Sequence, residues 1–316
     1  MVWWIMTTLL LAAALAPWLY QAGKSLAGTA AAGDLPVVLE WLGAACGRAE
    51  FGRFFDRSLM LSALMVMPLL FWRIRVMRSA SLDRVDSCVP VSWESAFIQT
   101  GVGCVIAAGM LWGLGLLLES QGIFTPKPGA PGFGKLMGKI LVPAVVVPPL
   151  EEWLFRGLLL GMWLRFSRPL AACVGTSLLF AFIHFLKPPE GSVIADPASA
   201  LAGFELQAKV LLHFANPRFF ITDFATLFIG GMILAWARVR TRALWFSIGL
   251  HAGWIAGFKA FNQLYHPAAS HPWGIGETFS GPFPMVTLGL TAVICHFVLR
   301  RFEAKGDERA VSRASR

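Results

Sequence analysis

The chain has 316 residues, of which 56% are hydrophobic and 14% charged, and it carries a formal net charge of +9. A soluble domain holds about a quarter charged residues, so this composition excludes a cytosolic globule, a disordered chain and a coiled coil. The positive balance does not point to nucleic acid, because the basic residues sit in short runs between apolar blocks, the pattern of membrane topology rather than of a phosphate-binding face.

Taken in order, the apolar blocks predict about eight membrane-spanning helices, near residues 2–21, 57–72, 95–119, 136–164, 169–186, 219–237, 243–263 and 281–299. The second block is short and has an earlier natural start near Phe51. Each block is apolar almost all round, so each helix has to bury against lipid or another helix. The expected fold is therefore all-α, a polytopic transmembrane helical bundle. No internal repeat interrupts the pattern.

Arginines mark alternate connections: Arg73, Arg75 and Arg78; Arg165 and Arg168; Arg238, Arg240 and Arg242; then a basic tail at 301–316. Basic loops stay inside, so both termini are expected in the cytoplasm, and the short arginine-marked loops suit a bacterial inner (cell) membrane. The first block lacks a basic n-region, which argues against a cleaved signal peptide, although the alanine-rich stretch after it keeps that alternative open. Two outer segments are long. Residues 187–218 contain an amphipathic stretch, Ala198 to Phe214, suited to the membrane interface, and residues 264–280, with His266 and His271, read as a connector and lid. Cys46, Cys88, Cys104, Cys173 and Cys295 show no close pairing, so neither a disulfide framework nor a zinc knuckle is expected.

Ionisable groups inside a bilayer cost about 2.5–3.5 kcal/mol each on insertion scales. The fourth block nevertheless reads Pro148-Pro149-Leu150-Glu151-Glu152-Trp153-Leu154-Phe155-Arg156-Gly157. Glu152 and Arg156, four residues apart with the acid first, share a helix face and suit a structural ion pair. Glu151 lies about 100° around the helix and is not neutralised by that contact. Pro148 and Pro149 are expected to break the helix, placing Glu151 in the first turn of a restarted segment where unbonded N–H groups hold an anion or a water. An unpaired carboxylate in a dry site is what a general base needs.

Two later blocks supply His184, in Phe180-Ala181-Phe182-Ile183-His184, and His251, in Gly249-Leu250-His251-Ala252-Gly253-Trp254. Singly, each is as well explained as an interhelical donor. With Glu151 they make a set able to deprotonate water and stabilise an oxyanion. The same three groups are also a zinc donor set, but there is no HExxH and the ligands would come from separate helices; the metal-free version is the expectation.

Glu151-Glu152-x-x-x-Arg156, then Phe180-x-x-x-His184, then His251 resemble the CPBP family, which contains the CAAX prenyl proteases of the Ras-converting type and bacteriocin-processing or immunity proteins. The resemblance covers residues 134–300, leaving 1–133 as accessory N-terminal helices and 301–316 as a cytoplasmic tail. It implies a glutamic intramembrane endopeptidase, a conical helical bundle open to lipid and water. By the same likeness Glu151 with His184 activates the attacking water, His251 helps form the oxyanion hole, and Glu152 and Arg156 shape the site. The implied partners are a membrane-associated protein or peptide substrate and the lipid bilayer, with no cofactor and no nucleic acid; the oligomeric state is open.

One position departs from the pattern. The family's third motif reads HxxxN, and here the fourth residue after His251 is Ile255, which cannot donate a hydrogen bond. Ser247 and Trp254 are candidate substitutes, whereas Asn262 lies about 16 Å along the axis, too far for that role. A missing oxyanion donor costs about 10²–10³ in rate. Ile255 therefore keeps a second reading alive, a non-catalytic immunity or binding protein. A transporter would require inverted repeats, which the chain lacks.

Overall fold

The structure is a computed structural model that describes residues 2–33, 35–80, 91–129, 132–186, 193–268 and 281–314. Apolar segments have to satisfy their own backbone groups, and this chain does so almost entirely with helices. In chain order these are α1 (Val2–Ala31), α2 (Val37–Arg48), α3 (Phe51–Ala80), α4 (Trp93–Ser120) and α5 (Phe133–Glu152). A π-helical segment, Trp153–Leu159, joins α5 to α6 (Leu160–Phe166), which is followed by α7 (Pro169–His184) and α8 (Ala202–His213). The one-turn α9 (Pro217–Phe219) and a second π segment, Phe220–Phe224, lead into α10 (Ala225–Thr241), and α11 (Trp245–Leu264) and α12 (Pro282–Ala314) complete the set. Among the described residues two short strands pair antiparallel, β1 (Phe124–Pro126) with β2 (Tyr265–Pro267), so that Thr125 faces His266.

Four helical stretches are long and apolar enough to cross a membrane: Trp3–Ala31, Trp93–Ser120, Ile221–Thr241 and Pro282–Arg300. The other expected spans fall on α3, on α5 through α6, on α7 and on α11, which are not among these four; α7, at 16 residues, is a shorter apolar helix. The helical bundle is thus present, while a total of eight spans is not established.

The chain divides into two compact units, Met1–Leu82 with His184–Pro217, and Asp83–Ile183 with Arg218–Arg316. In the first, α1 offers a face of fully buried alanines, Ala12, Ala13 and Ala16, to its neighbours. Ser58 of α3 donates to the Ala12 carbonyl at 2.8 Å. The expected amphipathic stretch forms α8, whose Ala202, Leu206 and Val210 are buried one turn apart, while Glu205 and Lys209 pair at 2.7 Å on the outside. Gly203 is required there, because a Cβ would overlap the Ala13 carbonyl.

The second unit is built on the α4–α11 seam. A Cβ on Gly249 would overlap the Thr100 carbonyl, one on Gly253 the Cys104 carbonyl, and one on Gly103 would stand 2.6 Å from the Phe246 carbonyl. Small residues at four-residue spacing let two helices approach backbone to backbone, and Thr100 Oγ1 adds a bond to the Trp245 carbonyl at 3.2 Å. Ala107, Leu234, Phe246, Leu250 and Leu299, all essentially inaccessible, join α4, α10, α11 and α12 in one core. β1 and β2 close the end of this unit over Leu118, Phe124 and Phe261.

Three sequence expectations change. The proline pair does not break the helix: α5 runs through Pro143, Pro148 and Pro149 to Glu152, and the disturbance emerges beyond it as the Trp153–Leu159 π segment. Proline's fixed φ is helical, and in apolar surroundings a local π adjustment recovers backbone bonds that a full break would lose. Glu151 therefore sits in the last turn of α5, not at a helix start with unbonded N–H groups. Arg238, read as a loop residue, is 1% exposed in the last turns of α10. The lid segment, including His271, lies outside the described residues, as does Cys88; before it, His266 contacts Thr125 Oγ1 at 3.2 Å.

Candidate active site

The π segment keeps Glu152 and Arg156 on neighbouring turns, and both are buried, at 0% and 1% exposure. Arg156 Nη1 donates to Glu152 Oε1 at 2.9 Å and Nη2 to the Gly231 carbonyl of α10 at 3.2 Å. The guanidinium plane lies 4.3 Å from the centre of the Phe180 ring on α7, so one aromatic face and one carbonyl fix the cation. Phe155 meets the same ring edge-on at 5.1 Å.

His251 enters from α11. Its Nδ1 lies 3.0 Å from Glu152 Oε1, the oxygen that also receives Arg156. A carboxylate held by a guanidinium accepts only, so Nδ1 carries the proton and the ring orientation is set. Nε2 then faces Glu151 Oε2 at 3.7 Å. Phe180 closes the ring from the side, edge-on at 6.0 Å. Of the two adjacent glutamates, Glu152 is sealed and Glu151 keeps 29% of its side chain accessible. Glu151, Glu152, Arg156 and His251 are thus brought together within the second unit. His184, the last residue of α7, is counted with the first unit; it stands one turn beyond Phe180 on the same helix face.

The proposed substitutes for the oxyanion donor fare differently. Ser247 is buried and its hydroxyl donates to the Leu244 carbonyl at 2.9 Å, so it is committed to its own helix. Trp254 packs at the edge of the core, 3.9 Å from where a Cβ on Gly230 would stand. Among the described residues no group of three His, Cys, Asp or Glu side chains is arranged to hold a metal ion.

Sequence reasoning missed two contributors. Phe180 entered only as part of a motif, yet it touches both Arg156 and His251. Gly231 supplies a backbone acceptor, which no side-chain motif could announce; the Gly230-Gly231 pair in the middle of an apolar helix was the available signal.

Residues 133–256 match the family model described as Type II CAAX prenyl endopeptidase Rce1-like. The matched segment begins with α5 and ends just past Ile255, so it contains Glu151, Glu152, Arg156, His184 and His251. It agrees with the resemblance read from the motifs. No curated protein and no solved structure matches the chain. Together with four helices of membrane-spanning length and apolarity, the match makes this an integral membrane protein related through that segment to a protease family.

Proposed function

We propose that the protein is an intramembrane glutamic endopeptidase that hydrolyses a peptide bond of a membrane-associated protein or peptide. The observation that carries this reading is the 3.7 Å separation of Glu151 Oε2 from His251 Nε2, behind which Glu152 and Arg156 hold the imidazole. Two legs of about 3 Å, the reach of a working hydrogen bond, close over that base, so a single water can touch both groups. Glu151, the partly exposed member of the glutamate pair, takes the proton from that water as it attacks the carbonyl carbon. The peptide oxygen gathers negative charge, and a His251 that enters the step as the imidazolium, with a solvent proton on Nε2, donates to that oxygen and keeps the proton throughout. The amine leaves with the proton returned by Glu151. The family likeness assigns His184 the part of a second imidazole in activating that water. The arginine-marked loops support an inner-membrane location with both termini in the cytoplasm.

A second reading has its own observation. Ile255 offers no donor and the Ser247 hydroxyl is used within α11, which suits a non-catalytic binding protein that retains the ion cluster.

The test is cleavage of prenylated and unprenylated membrane peptides by purified protein in detergent, beside Glu151→Gln and with a chelator present. The expected result is turnover that falls by about 10³-fold in the variant and ignores the chelator. Turnover that Glu151→Gln leaves intact overturns the assignment of the base, and turnover abolished by chelation and restored by zinc replaces it with a metal mechanism. A folded protein that cleaves neither class favours the binding reading.

A further inference from the structure

Arg156 spends one of its two terminal nitrogens on a backbone carbonyl, and the residue that owns that carbonyl is a glycine in close contact with another helix. A Cβ built on Gly231 would stand 3.1 Å from Ser177 Cβ, 3.3 Å from Ser177 Cα and 3.4 Å from Phe180 Cδ1. All three neighbours belong to α7. Ser177 is fully buried, and its hydroxyl has no hydrogen-bond partner among the described residues, so it is there for its size rather than for a bond. Alanine is the better helix former, so a glycine in mid-helix at this point needs a packing reason. That reason is the approach of α10 to α7.

We propose that the Gly231–Ser177 contact is a positioning element of the site, setting through Arg156 and Glu152 the orientation of the His251 ring; its effect on turnover rests on the function proposed above. The connection is continuous. The Gly231 carbonyl accepts from Arg156 Nη2 at 3.2 Å, Arg156 Nη1 reaches Glu152 Oε1 at 2.9 Å, and the same oxygen accepts from His251 Nδ1 at 3.0 Å. Phe180 is the second route, since it contacts Gly231's Cβ position, the guanidinium and the His251 ring. A methyl group at residue 231 has to move α10, α7 or Phe180 by a few tenths of an ångström. Each of those shifts acts on Arg156 or on His251, and Nε2 then no longer faces the same point as Glu151. Displacements of this size are felt in the rate, because reacting groups misplaced by about 1 Å lose about 10²-fold.

The experiment uses the full-length protein in detergent, with ¹⁵N-labelled histidine and the His251 signals assigned by their loss in His251→Gln. Gly231→Ala is expected to lower kcat about tenfold at unchanged KM, as a sub-ångström displacement should, and to shift the His251 Nδ1–H resonance. Adding Ser177→Gly, which removes the opposing Cβ, is expected to restore both. A Gly231→Ala protein with the wild-type resonance and kcat overturns the proposal, and so does a loss that Ser177→Gly fails to recover. Should the wild type cleave nothing, the proposed function fails on its own and the resonance still decides the positioning: unmoved, it is refuted; moved and restored, it stands. Ser177→Thr, which adds a methyl from the α7 side, carries the same expectation if Gly231→Ala does not fold.

Discussion

The α4–α11 seam and the α5–α6 segment both contribute to the site and are built in opposite ways. The seam is regular helix against regular helix, with Gly103, Gly249 and Gly253 in close contact with the facing backbone. The α5–α6 segment carries three prolines, a seven-residue π turn and six charged side chains, of which Glu151, Glu152 and Arg156 stand at the site. His251 grows from the first and is held by the second. The difference teaches where this chain places its tolerance. The ionisable groups of the site gather where α5 passes into the π turn, Glu151 and Glu152 on the last α turn and Arg156 on the π segment, while His251 stands on the regular, closely packed seam.

That contrast can be broken by substitution, beginning where the effect on folding is largest. Arg156→Ala leaves Glu152 buried without its cation, and removal of one partner of a buried pair costs about 3–5 kcal/mol. Thermal denaturation in detergent should show the loss. The paired replacement Glu152→Leu with Arg156→Met should recover most of it while leaving the protein inactive, because apolar residues of similar volume replace a buried pair at little cost. A double variant no more stable than Arg156→Ala would mean that the segment needs its charges to fold. On the other side, Gly249→Ala forces a methyl into the Thr100 carbonyl, with the cost of overpacking, about 1–3 kcal/mol. Gly109→Ala, a position on α4 with open space beside it, is the control and should melt as wild type. Equal melting of the two variants would refute the seam as the rigid side.

Much of this was legible in the sequence. The apolar blocks announce helices, and the Glu152–Arg156 pair follows from a spacing of four. The glycine spacing 249, 253, 257 is a helix-packing stripe readable from the sequence that the motif reading around His251 does not use. What was not legible is of one kind. Whether Pro148 and Pro149 end a helix depends on the backbone bonds recovered by the following π turn, which no single residue encodes. Arg238 reads as a loop cation until tertiary packing buries it. The shared oxygen Glu152 Oε1, which makes Arg156 and His251 neighbours, arises from helices distant in sequence.

The smallest folding effect is the most informative, because it separates two glutamates that the sequence sets side by side. Glu152 is inaccessible and bonded to both Arg156 and His251; Glu151 keeps 29% of its side chain accessible and faces His251 at 3.7 Å, beyond a direct hydrogen bond. Glu152→Gln should therefore melt well below wild type, as Arg156→Ala does, since it removes the charge that two buried donors were arranged around. Glu151→Gln keeps the shape and removes a charge from a partly wetted edge, so its stability should stay within about 0.5 kcal/mol of wild type. A carboxylate that can be neutralised without cost to the fold, yet not without loss of turnover, is present for chemistry. If Glu151→Gln instead melts as low as Glu152→Gln, both glutamates belong to one structural ion cluster, and Glu151 loses its claim to be the base.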